Sequence, residues 1–215
     1  LNWTGDASGT DNPLSVTLDR PKTVQAVFGT TLNPSVVGSG SLSSSPNAGP
    51  YAYGSTVRLS AVPNAGNYFR FWGGALTGNS ASPISFVVTN ASPTISAVFA
   101  GLPANNFALT ILLNGEGSVT RSPQSDYYAN GQTVTLTAAP ASGQAFTGWS
   151  GDASGAQNPL NVTMNASKTI TASFVFNTAP TISAISSQIV TEDTSTGAIV
   201  FTVGDAETGA SSLIL

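Results

Sequence analysis

The chain is predicted to be all-β, an array of tandem small antiparallel β modules with little or no helix, strung like beads. Three observations predict this. The sequence repeats itself, its apolar residues alternate with period two, and its 215 residues include 22 Gly and 13 Pro with 40% hydrophobic but only 7% charged residues. Many turns between short, half-buried strands is the architecture such a composition supports. Positive mean hydropathy and a net charge of -4 argue against disorder, which goes with low hydrophobicity and high charge.

The repeat emerges when the chain is laid on itself. Residues 1–29 (LNWTGDASGTDNPLSVTLDRPKTVQAVFG) align without a gap on residues 147–175 (TGWSGDASGAQNPLNVTMNASKTITASFV), with about half the positions identical, beyond what chance supplies. A more diverged third copy lies between them, FRFWGGALTGNSASPISFVVTNASPTISAVF. Upstream halves also match, GSGSLSSSPNAGPYAYG against GEGSVTRSPQSDYYANG, an alignment that pairs Tyr53 with Tyr128. The chain divides accordingly into the C-terminal half of a repeat (1–29), two repeats (30–100 and 101–176) and a remainder (177–215). Pro-containing linkers are expected near Ala100–Asn106 and Phe176–Pro180.

Within each repeat, strands follow from alternation. Val57 and Leu59, and likewise Val134 and Leu136, point one way while Thr, Arg or Ser points the other. The same pattern predicts strands over Leu14–Leu18, Leu160–Met164 and Ile170–Phe174, each bounded by Pro, Asn or Gly. No window of a dozen residues combines a 3.6-residue period with freedom from Gly and Pro.

Composition also narrows function. With no Cys there are no disulfides or thiolate metal sites, and with no His the commonest general base and most transition-metal sites are missing. No Ser-x-x-Lys motif is present and no carboxylate pair can be tied to one cleft, so no enzyme is expected. Six Lys and Arg against ten Asp and Glu leave no basic patch, so neither nucleic acid nor an anionic membrane is an expected partner. Nothing resembles a membrane-spanning run, and any secretion signal is expected to lie outside these residues.

Trp3, Trp72 and Trp149 occupy one equivalent position, each before a Gly-rich turn, and each copy closes on an Ala-x-Phe strand with Phe28, Phe99 or Phe174. These six aromatics are expected to form the core of each module. The competing reading, a glycan-stacking platform, needs the tryptophans, or Tyr51, Tyr53, Tyr127 and Tyr128, exposed in a row. Asp6 and Asp152, in matching turns, offer a minimal calcium site or, as short acids in Gly/Ser turns usually do, cap their own backbone.

With YYANGQTVTLTAAPASGQAFTGWSGDASGAQNPLNVTMNASKTITASF in view, residues 1–175 resemble the divergent internalin-type B repeats of large bacterial surface proteins. That resemblance implies an extracellular, mainly β module used as a spacer or adhesive element, without chemistry of its own. From Asn177, NTAPTISAISSQIVTEDTSTGAIVFTVGDAETGASSL is similar to the opening strands of a cadherin-like or immunoglobulin-like adhesin repeat. This second resemblance implies that Glu192, Asp193, Asp205 and Glu207 fall where related modules carry calcium ligands. The alternative is that they are solvated turn and edge residues.

The expected function is thus a structural or adhesive region of a secreted bacterial surface protein: a stalk, filament or adhesin at the cell surface. It requires no cofactor, calcium being the one candidate, and its partners are neighbouring domains, copies of itself, or a surface glycan or protein. Because the first repeat and the last module are both incomplete, head-to-tail assembly by strand complementation is a further expectation. The alternative function is a carbohydrate-binding accessory module of a secreted enzyme.

Overall fold

The computed structural model describes residues 2–47 and 49–207. Among them are strands and turns but no helix. The half repeat contributes β1 (Asn2–Gly5) and β2 (Val24–Val27). The first complete repeat holds β3 (Gly29–Thr30), β4 (Asn33–Val37), β5 (Gly40–Ser45), β6 (Tyr51–Ala52), β7 (Thr56–Pro63), β8 (Asn67–Gly74), β9 (Ile84–Val87) and β10 (Thr94–Gly101). The second reproduces this order with β11 (Asn106–Phe107), β12 (Leu109–Asn114), β13 (Gly117–Ser122), β14 (Tyr128–Ala129), β15 (Gln132–Pro140), β16 (Gln144–Gly151), β17 (Leu160–Met164) and β18 (Lys168–Phe176). A two-residue pair, β19 (Thr181–Ile182) and β20 (Val203–Gly204), follows.

Each complete repeat is two three-stranded sheets plus a small pair. In the second the orders are β12-β18-β16 and β13-β15-β17, with β11 on β14; in the first they are β4-β10-β8 and β5-β7-β9, with β3 on β6. The tandem all-β organisation is as predicted, with one addition. The last strand of each repeat lies parallel to its first long strand, β10 on β4 and β18 on β12, while the other pairings are antiparallel. Parallel neighbours need a long crossover, and here the entire rest of the repeat supplies it.

In the longer strands of the complete repeats, β4 excepted with all five residues exposed, alternation puts one face into a core between the sheets. Val134, Leu136, Met164, Ile170 and Ala172 are fully buried in the second complete repeat, and Val57, Leu59, Trp72 and Ala97 in the first. Phe146 sits 5.1 Å from Trp149 and 5.7 Å from Phe174 between ring centroids; Phe69 does the same with Trp72 and Phe99 at 5.0 and 5.8 Å. Such aromatic trios add specific ring contacts to their burial.

A Gly-x-Gly turn makes room for the closing phenylalanine. A Cβ on Gly117 would stand 2.6 Å from the Phe174 ring, and one on Gly40 would stand 2.6 Å from the Phe99 ring. The neighbouring Gly115 (φ +88°) and Gly38 (φ +88°) take the left-handed turn itself, pressed against the carbonyls of Phe174 and Phe99.

The half repeat departs from expectation in two places. Leu14–Leu18, predicted as a strand, pairs with nothing, because its counterpart β17 pairs only with β15 and the half repeat has no such strand. Phe28, predicted as core, is 74% exposed and Trp3 is half-buried, since neither the opposing sheet nor the glycine shelf is present to cover them. Trp72, Trp149, Phe99 and Phe174, with the full complement of strands around them, are buried.

The tyrosine alignment is also corrected. The counterpart of Tyr128 is Tyr51 rather than Tyr53: each lies at the start of its short strand, is buried, and donates its hydroxyl to a proline carbonyl, Pro123 at 3.1 Å and Pro46 at 3.0 Å. Gly54 and Gly131 then correspond, and Tyr53, 72% exposed, takes the place of Asn130. The connection between the complete repeats is shorter than expected, since β10 runs through Gly101 and β11 begins at Asn106.

Candidate functional site

The tryptophan position defines a loop found in all three copies. The indole Nε1 donates to a carbonyl eight or nine residues on, Asp11, Ala81 or Gln157, at 2.8 Å in each case. The backbone N–H of the same Trp donates to Gly9, Asn79 or Gly155. The indole therefore has its polar edge satisfied within the protein, and in the complete repeats its rings are buried at Trp72 and Trp149. No row of exposed tryptophans forms. Of the four tyrosines, Tyr51 and Tyr128 are buried, Tyr127 is half-buried, and Tyr53 alone is exposed.

The turn aspartates tie the loop to the closing strand. Asp6 Oδ2 accepts the Thr23 N–H at 2.8 Å and Asp152 Oδ2 accepts the Thr169 N–H at 2.7 Å, while the N–H of each Asp donates back to the same residue's carbonyl. The Thr23 N–H, and then the Arg20 guanidinium, hold the Asp6 carboxyl below the usual carboxylate range. The first complete repeat keeps only the backbone half of this clasp, from Ala75 N–H to the Thr94 carbonyl.

The four acids after Asn177 take separate places. Glu207 accepts from both the backbone N–H (3.1 Å) and the hydroxyl (2.8 Å) of Thr178, and Asp205 Oδ1 accepts the Glu207 N–H at 2.9 Å. Glu192 and Asp193 are exposed at the centre of a Thr191–Thr194 turn, with Asp193 at φ 64°. Among the described residues no three carboxylates come together as calcium's six to eight oxygen ligands require. The last eight residues of the 177–215 module lie outside the described residues.

The most elaborate side-chain chemistry lies where the two complete repeats meet. Arg58, on β7, reaches across: Nη1 donates to the Gly115 carbonyl at 2.8 Å and Nη2 to Glu116 Oε2 at 2.5 Å. Its side chain is only 13% exposed. Elsewhere between the same two repeats, the Tyr68 and Tyr127 rings meet edge to face, centroids 5.1 Å apart. A groove of about 350 Å³ runs along this junction, walled by Ala81–Ser85 of one repeat and Glu116–Arg121 of the next. Sequence reading missed this site, because nothing in one repeat marks Arg58 as facing another. The available signal was positional: the equivalent residue in the other complete repeat is Thr135, which bonds within its own sheet to Asn161.

This repeated, helix-free two-sheet module, closed on a Trp loop and a Gly-x-Gly shelf, defines the protein as a tandem β-repeat chain. The divergent InlB B-repeat domain family matches it twice, at residues 30–102 and 107–178, which together make up more than half of its length. The chain belongs to that family. Comparison with curated proteins and with solved structures finds no match. No helix among the described residues is long and apolar enough to cross a membrane.

Proposed function

We propose that this chain is a non-catalytic spacer and adhesive region of a bacterial surface protein, in which consecutive B repeats are held end to end as a stalk outside the cell. The observation that carries this reading is the joint. Arg58 bonds to both the backbone and the side chain of the next repeat, and the Tyr68–Tyr127 ring pair makes a second contact between the repeats. A planar guanidinium bonded to a backbone carbonyl and a carboxylate resists reorientation better than a flexible ammonium would. The connection Leu102–Asn105 is short, and its first residue is tied back by the Leu102 N–H to the Gly66 carbonyl at 2.8 Å. Membership of the family, a repeat module of surface proteins, supports the extracellular placement.

Small-angle X-ray scattering of the purified chain tests the stalk. A rod with one narrow distribution of lengths, unchanged between low and moderate salt, is the expected result. A broad distribution fitted only by freely jointed repeats would refute it. Labelling of intact cells with antibody against residues 107–178 tests the location, and a signal only after permeabilisation would count against it.

A further inference from the structure

We propose that the groove between the two complete repeats accepts an added β-strand, and that its occupant is the segment around Ile189–Asp193 of a second copy of this chain.

The groove has the features a strand needs. On one side stands β9, on the other β13, and each is the outer strand of its sheet, paired on one side only. An outer strand turns the N–H and C=O of every second residue away from its partner, which is the template for strand addition. Ile84, Leu113 and Val119 give an otherwise polar groove apolar contact points. Two of the six Lys and Arg in the chain line the same groove: Arg58, held by Gly115 and Glu116, and Arg121, whose Nη1 donates to the Leu109 carbonyl at 3.3 Å and whose charge no carboxylate in the groove is bonded to. It therefore suits an extended segment that combines apolar and acidic side chains.

One described segment of this chain has that chemistry and lacks a place of its own. Residues 183–202 form no strand and are exposed throughout. Ile185, Ile189 and Val190 are 50, 96 and 48% exposed. Ile189 and Val190 are followed at once by Glu192 and Asp193. Binding as a strand requires the Thr191–Thr194 turn, with Asp193 at φ 64°, to open; once extended, the segment alternates its side chains, so Ile189 and Asp193 share one face and Val190 and Glu192 the other. Either face presents one apolar side chain to the lining and one carboxylate to Arg121. Seated in another copy's groove, the segment would exchange exposure for burial and link copies from the tail of one to the middle of the next.

Sedimentation velocity over a concentration series, with the full chain, reads this directly. Mass should rise with concentration in the native chain and stay at monomer in Ile189→Asp, whose exposed position leaves the repeats untouched. A fluorescent peptide of residues 185–195 should bind the full chain. Its binding should weaken about tenfold when the peptide carries Glu192→Gln and Asp193→Asn, or when the chain carries Arg121→Gln. A chain that stays monomeric at every concentration, or that associates equally well with Ile189→Asp, overturns the proposal. So does peptide binding indifferent to the two acids and to Arg121.

Discussion

The side chain of Asn158 and the backbone of Ala138 exchange two hydrogen bonds, the Ala138 N–H donating to Oδ1 at 2.9 Å and Nδ2 donating to the Ala138 carbonyl at 2.8 Å. The amide thus imitates a strand residue, continuing the β15–β17 ladder past Leu160, where β17 begins. In the first complete repeat Ser82 and Ala61 do the same with one hydroxyl, at 2.8 and 3.4 Å. Asn158→Ala removes both bonds and is expected to cost about 1–2 kcal/mol, measured by urea denaturation. Ser82→Ala should cost less, since its second bond is long. An Asn158→Ala protein as stable as the parent would show that water replaces the amide without loss.

The glycine shelf makes a sharper prediction. Gly117→Ala places a methyl 2.6 Å from the Phe174 ring, which Phe146 and the sheet hold in place. Overpacking of this kind costs about 1–3 kcal/mol. The loss should fall on the second complete repeat, with Gly40→Ala producing the matching loss in the first, and differential scanning calorimetry of each variant would separate them.

The repeats were legible in the sequence because the same physics recurs three times. Alternation marks Val134, Leu136 and Val162 as one buried face, and the recurrence of Trp and Phe marks the core of a complete module. Phe28 and Leu14–Leu18 show the limit. Their sequence is that of core and strand, but burial and pairing are properties of the partner, and in the half repeat the partner strands are missing. The Tyr51–Tyr128 correspondence was obscured because YAYG offers two tyrosines, and only the hydroxyl's bond to a proline carbonyl chooses between them. Arg58 was illegible for a different reason: its partners Gly115 and Glu116 lie 57 and 58 residues away, in another repeat.

For that joint, a double-mutant cycle with Arg58→Gln and Glu116→Gln is expected to return a coupling of about 1 kcal/mol, at the upper end for a pair with one exposed member. Scattering on the same variants should show a wider spread of inter-repeat angles. Additive effects on stability, together with an unchanged scattering profile, would mean that the backbone connection alone orients the repeats.

Asp6 gives a pH signature. Its carboxyl is held below the usual aspartate range, chiefly by the Thr23 N–H and next by Arg20. A group whose folded-state pKa is depressed contributes stability that is present above its unfolded value and lost as pH falls through the folded one. The Thr23 amide shift, followed by NMR, should titrate with its midpoint below the ordinary aspartate value of 3.8. A midpoint above that value would contradict the clasp.

Tryptophan fluorescence should separate the copies. Trp72 and Trp149 are 0% and 4% exposed, so acrylamide should quench little of their emission, while half-buried Trp3 supplies most of the accessible fraction. In Trp3→Phe that accessible fraction should nearly vanish; its persistence would place one of the other indoles at the surface.

The parallel pairing of first and last strands has a mechanical consequence. Tension along the chain enters a complete repeat at the start of β12 and leaves at the end of β18, two neighbouring strands in register from Leu109↔Lys168 to Asn114↔Ser173. Pulled this way the strands slide lengthwise past each other, so the ladder bonds are loaded together rather than peeled one at a time. Single-molecule stretching should therefore give tall, evenly spaced rupture peaks, one for each complete repeat. A proline at Ile111, in the middle of β12, should lower the peak of its own repeat and leave the other unchanged.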